Sequence, residues 1–134
     1  MSLSRADRQV LERIVRERRG FGHREHLELT WSYLRSYPFA RAASAAAAAI
    51  RHVAGLHGAP DRYHDTMTRA WVRLVAVHMQ QADAACFDDF LAKNPGLLDR
   101  DLLAGHYSRV LLNSASARAR FAEPDLRVLP ASVV

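Results

Sequence analysis

The stretch RAASAAAAAI at residues 41–50 confines this chain more than any other. Alanine has the highest intrinsic helix propensity, and seven alanines with no glycine or proline among them favour helix over every alternative. The same side chains lack bulk, so a helix built from Ala42, Ala43 and Ala45 to Ala49 lets its neighbours approach closely. Those neighbours also read as helices, because no segment alternates with period two over the length a strand requires.

The helix ends can be placed from capping and breaking residues. Ser4 is an N-cap for a helix through Arg18 with Val10, Leu11, Ile14 and Val15 as its apolar stripe. Gly20 and Gly22 break it. A second helix runs from about His23 to Ser36, since the residue before Pro38 disfavours helical backbone. The alanine-rich helix spans about Phe39 to Leu56 and ends at Gly58. A fourth begins near Pro60, a favourable first-turn residue, and continues to about Gln81. Beyond Asp83 the pattern shortens. Phe87, Phe90 and Leu91 suggest a helix stopped by Asn94-Pro95-Gly96. Leu102, Leu103 and Tyr107 suggest another, capped by Asp99 or Asp101, and Ser114 to Phe121 a last short one. Glu123 to Val134 reads as an extended tail lying across the surface. The expected fold is therefore all-α. It is a single domain over residues 1–134, a bundle of four main helices with short C-terminal helices and a tail. The basic helix within residues 1–20 would sit at its periphery.

A protein of 134 residues, 49% of them hydrophobic, can bury a core without disulfides, and Cys86 is the one cysteine. Without a CxxC partner, Cys86 reads as a buried thiol. The opening MSLSRADRQV carries charges where a secretory signal needs an apolar run, and Ala42 to Ile50 is too short to span a bilayer. The expectation is a cytoplasmic protein with no membrane partner. Net charge is +5, and eighteen of the nineteen basic residues are arginine. Such a bias, with so much alanine, is usual for GC-rich bacterial genomes. The charges are spread along the sequence, apart from a cluster at Arg13, Arg16, Arg18 and Arg19, which argues against a nucleic-acid surface.

The histidines carry the functional signal. At 100° per residue, His23 and His26 share an arc of about 100° with Leu27, Thr30 and Leu34, the side that faces the core. On the fourth helix His64 shares a similar arc with Met67, Thr68, Trp71, Val75 and His78. His78 lies about 21 Å along the helix from His64, too far to join one compact site. A single inward histidine is ordinarily a hydrogen-bonded core residue, and HxxH alone is a weak motif. Three of them from two helices form a candidate metal set, His23, His26 and His64, that leaves coordination positions open. Neutral imidazole suits zinc, copper, nickel or iron. Tyr63 and His57 are candidate acid–base groups, with His57 also a reserve ligand. Thr68 could bond a ligand, although back-bonding to the carbonyl of His64 is its natural local partner. Asp65 falls toward solvent on the wheel, His52 points outward, and His106 is explained by a helix end. A glycine-rich phosphate loop, GxSxG and HExxH are absent, as is Glu-x-x-His from these helices.

The segments FGHREHLELTWSYL and RYHDTMTRAW resemble a family of small helical bacterial proteins with F-x-H-x-x-H-L and Y-H-x-T-x-T motifs. FDDFLAKNPGLLDRDLLAGHYS is similar to that family's C-terminal half. The resemblance covers about residues 21 to 130. It implies that Phe21, His23, His26, Tyr63, His64, Thr66 and Thr68 belong to the family signature, and it implies no activity. DinB-like four-helix proteins, which bind a metal through three histidines, are a looser precedent whose histidine spacing is not reproduced here. Three functions follow as expectations. One is a metal-dependent enzyme acting on a small molecule, with the metal activating water or polarising a carbonyl. The second is a protein that binds a metal or small ligand without turnover. The third is a helical interaction module, with a homodimer as one arrangement, whose histidines are structural.

Overall fold

The computed structural model describes residues 3–130 and is helical throughout its regular structure. Positions 1 and 2 of the basic N-terminal segment and 131–134 of the expected tail lie outside the described residues. Four long helices come first: α1 (Arg5–Arg18), α2 (His23–Ser36), α3 (Phe39–Leu56) and α4 (Asp65–Gln81). Three short ones follow, α5 (Phe87–Lys93), α6 (Arg109–Leu112) and α7 (Ala115–Ala119), with 3-10 turns at Pro60–Arg62, Pro95–Leu98 and Leu102–Gly105. No described helix is long and apolar enough to cross a membrane.

The ends of α1 to α3 fall where local chemistry dictates. The Ser4 hydroxyl accepts the Asp7 N–H, satisfying an amide that the first turn leaves without a partner. At the N-terminus of α2, the Glu25 carboxylate accepts the Gly22 N–H at 2.7 Å. Past the end of α3, Gly58 adopts φ +66°, a left-handed conformation that costs a glycine nothing. The alanines of α3 pack as their size suggests. Ala42, Ala43, Ala45, Ala46, Ala47 and Ala49 are all buried, and α3 packs against both α2 and α4, which also touch each other.

Two apolar clusters share α2 and α4. Leu11, Ile14, Leu29, Tyr33, Val72 and the alanines form one. Leu27, Trp31, Leu74, Val75, Phe87, Phe90, Leu97, Leu103, Tyr107 and Leu129 form the other. Leu11 and Ile14 tie α1 into the first cluster, and Asp7 adds a polar tie. Buried Asp7 accepts from Tyr37 Oη at 2.6 Å and Arg41 at 2.9 Å, and its backbone carbonyl accepts from Tyr33 Oη at 2.7 Å. Burial alone would raise the Asp7 pKa, but hydrogen bonds from Tyr37, Arg41 and Ser4 bring it below its usual value. A second polar tie centres on buried Glu28, which pairs with Arg18 of α1 and Arg24, while Arg24 also binds Asp88 of α5.

Five local expectations change. The helix expected to carry Leu102, Leu103 and Tyr107 is a 3-10 turn, Leu102–Gly105, that stops short of Tyr107. Pro60 starts a 3-10 turn, and α4 itself begins at Asp65 after a break at Tyr63 and His64. Asp65 is buried because its carboxylate accepts from Tyr63 Oη and Arg69. Cys86 is exposed, as the residue preceding α5. His106 is buried against the tail, where its Nδ1 donates to the carbonyls of Arg127 and Val128. That long-range bond accounts for it, in place of a helix dipole.

Candidate functional site

One cavity of about 470 Å³ opens between α2, the C-terminal half of α3 and the start of α4. This is within the usual range of small-molecule pockets. Leu27, Met67 and Trp71 supply apolar surface from α2 and α4, and Ile50, Val53 and Ala54 supply it from α3. All six side chains proposed from the sequence reach this cavity: His23, His26, His57, Tyr63, His64 and Thr68. Four further lining residues belong with them. Thr30 and Trp71 lie on the same helix faces, whereas Arg62 and Arg100 come from connecting segments whose path helical periodicity does not reveal.

The three central histidines differ in what they offer. His64 is the N-cap of α4. Its Nδ1 accepts the Met67 N–H at 3.1 Å, and its Nε2–H donates to the Leu112 carbonyl at 2.7 Å. Both ring nitrogens are therefore committed, in the one tautomer that satisfies both partners. His23 donates Nε2–H to the Leu97 carbonyl at 2.9 Å and sets its ring edge-on to Trp71, which leaves Nδ1 unengaged. The His26 ring makes no hydrogen bond to a described residue. Its ring lies against Phe21, with centroids 4.4 Å apart. Burial, reinforced by the neighbouring His23, lowers its pKa to about 4, so it is a neutral imidazole at pH 7.

Tyr63 and Thr68 are engaged within the protein. The phenol of Tyr63 donates to Asp65 at 2.6 Å, beneath the guanidinium of Arg51, and burial together with that carboxylate pushes its pKa well above the usual range. The Thr68 hydroxyl donates to the His64 carbonyl at 2.8 Å, the local partner expected of it. His57, the C-cap of α3, stands exposed at the rim. Thr30 is different: although the residue is buried, its hydroxyl bonds to no described residue. No enclosed side-chain polar atom among the described residues lacks a partner. The Thr30 hydroxyl and the His26 ring nitrogens therefore face the cavity.

For a transition metal, this arrangement provides one free nitrogen on His23 and those of His26. A third imidazole would require His64 to release Met67 or Leu112. Among the described residues no three His, Cys, Asp or Glu side chains are grouped to hold a metal ion. The cavity as a whole is an apolar chamber with a few convergent hydrogen-bonding groups. No protein-family model, curated protein or solved structure matches this sequence.

Proposed function

We propose that this protein, read as a bundle of four main helices, binds a small organic molecule in the cavity between α2, α3 and α4. His26 meets the polar group of that molecule as a neutral hydrogen-bond acceptor. The observation that carries this reading is the His26 ring. It is half-buried in an apolar cavity and bonded to no described residue, while its neighbours Tyr63, His64 and Thr68 are paired within the protein. Its nitrogens open onto the cavity, where a ligand donor can take the place of water. Thr30, one turn along α2, adds a second hydrogen-bonding group.

A fragment screen read by the imidazole ¹H–¹³C resonances tests the proposal. Binders are expected to move the His26 signal and to perturb Trp71 fluorescence, with His57 responding less because it stands at the rim. His26→Ala should remove the response of Trp71 to fragments that carry a hydroxyl or amide donor. A screen in which no fragment moves the His26 resonance would overturn the reading.

A further inference from the structure

The charge around the cavity constrains the class of ligand, an inference that rests on the binding reading above. Among the described residues no aspartate or glutamate lines the cavity, whereas two arginines from separate connecting segments do. Arg62 ends the 3-10 turn between α3 and α4, and Arg100 follows the 3-10 turn after α5. Both are exposed, and neither guanidinium forms an ion pair or hydrogen bond with a described residue. Asp61, Asp99 and Asp101, the chain neighbours of these arginines, are exposed and do not line the cavity. Asp65 is held by Tyr63 and Arg69, and the Glu25 carboxylate caps Gly22.

The helix N-termini at the cavity narrow the choice of anion. Phosphate is commonly held on the free amides of a helix start. Here the start of α2 carries the Glu25 carboxylate, and the Met67 amide of α4 is taken by His64. What remains for an anion is the guanidinium fork, whose geometry matches carboxylate and phosphate alike, and a singly charged carboxylate costs less to bring beside a largely apolar chamber than a doubly charged phosphate. We infer that the ligand is a small amphipathic carboxylic acid. Its carboxylate sits at Arg62 and Arg100, its apolar body lies along Leu27, Met67 and Trp71, and a hydroxyl reaches His26 and Thr30.

The test pairs each acid with its uncharged amide. Hexanoate, phenylacetate and 4-hydroxyphenylacetate are titrated against their primary amides at low salt, following the His26 imidazole resonance and Trp71 fluorescence. Each acid is expected to bind at least tenfold tighter than its amide, with the gap narrowing at high salt. 4-Hydroxyphenylacetate should bind tightest of the three acids. In the double variant Arg62→Gln, Arg100→Gln the acid should fall to the affinity of its amide while the amide is unaffected. Because Arg100 also helps keep His26 neutral, a bound carboxylate should raise the His26 titration midpoint from about 4. Binding of amides and acids with equal affinity, or an acid preference that survives the double variant, overturns this inference and leaves the binding reading standing. Failure of both probe classes to move His26 overturns the two together.

Discussion

His26 titrates differently in the folded and unfolded protein, and the sign of that difference fixes a stability profile. The imidazole has an ordinary pKa of 6.5 and is lowered to about 4 in the fold, so between those values the unfolded state binds the extra proton. Stability is then fully present above about pH 6.5 and declines as pH falls toward 4. At about 1.4 kcal/mol per pH unit the upper limit is about 3 kcal/mol, and access of water to the cavity brings the expected loss to about 1–3 kcal/mol. Urea denaturation at pH 7.5 and 4.5 measures it, and His26→Gln should flatten the profile in that window. The inward facing of His23 and His26 was legible from the wheel alone. Which imidazole stays free was not, because their partners, Leu97 and Leu112, come from segments 74 and 48 residues away from His23 and His64.

At the scale of elements, the bounds of α2 and α3 could be read from Gly22, Pro38 and Gly58, since caps and breakers act within a few residues of themselves. The start of α4 could not. Pro60 is a sound helix-start signal, but the protein uses it for a 3-10 turn and begins α4 at Asp65, with His64 as the cap. That choice yields a prediction. His64→Asn keeps a side-chain acceptor for Met67 and loses only the Leu112 bond. His64→Ala loses both, and should be the less stable variant by about 1 kcal/mol in chemical denaturation. The alanine helix yields another. Ala46 is fully buried on α3 and Ala40 is exposed on the same helix. Ala46→Leu forces added volume into a close helix contact and should cost about 1–3 kcal/mol or more, while Ala40→Leu should stay within about 0.5 kcal/mol. Equal effects at the two positions would contradict the packing described for α3.

Across the whole molecule, the residues that follow α4 close the second apolar cluster and complete the site from outside. Leu97 orients His23, Leu112 orients His64, and Arg100 reaches the cavity mouth, so the pocket depends on a region with little regular structure. That region is held by side chains bonding to distant backbone. Thr66 Oγ1 binds the Ala117 carbonyl and accepts the Ala122 N–H, Tyr107 Oη donates to Ala122, and the Ser108 N–H and hydroxyl both donate to Asp125. His106 then fixes the last described turn. Its own carbonyl accepts the Leu126 N–H, and its ring donates to Arg127 and Val128. None of this has a period, so the sequence suggested a tail lying across the surface but not where it attaches. The attachment sets Leu129 into the cluster with Leu103 and Tyr107, while Val128 beside it stays exposed. Leu129→Ala should therefore cost about 2–3 kcal/mol, and Val128→Ala less than about 0.5 kcal/mol. His106→Phe preserves the ring's bulk but leaves two carbonyls without their donor, for a loss of about 1–2 kcal/mol. Hydrogen exchange separates a local from a global effect. In His106→Phe, the Leu126 amide should lose protection while amides in the middle of α3 keep theirs. Parallel loss at both places would mean that the tail is part of the cooperative unit and not a strap on it.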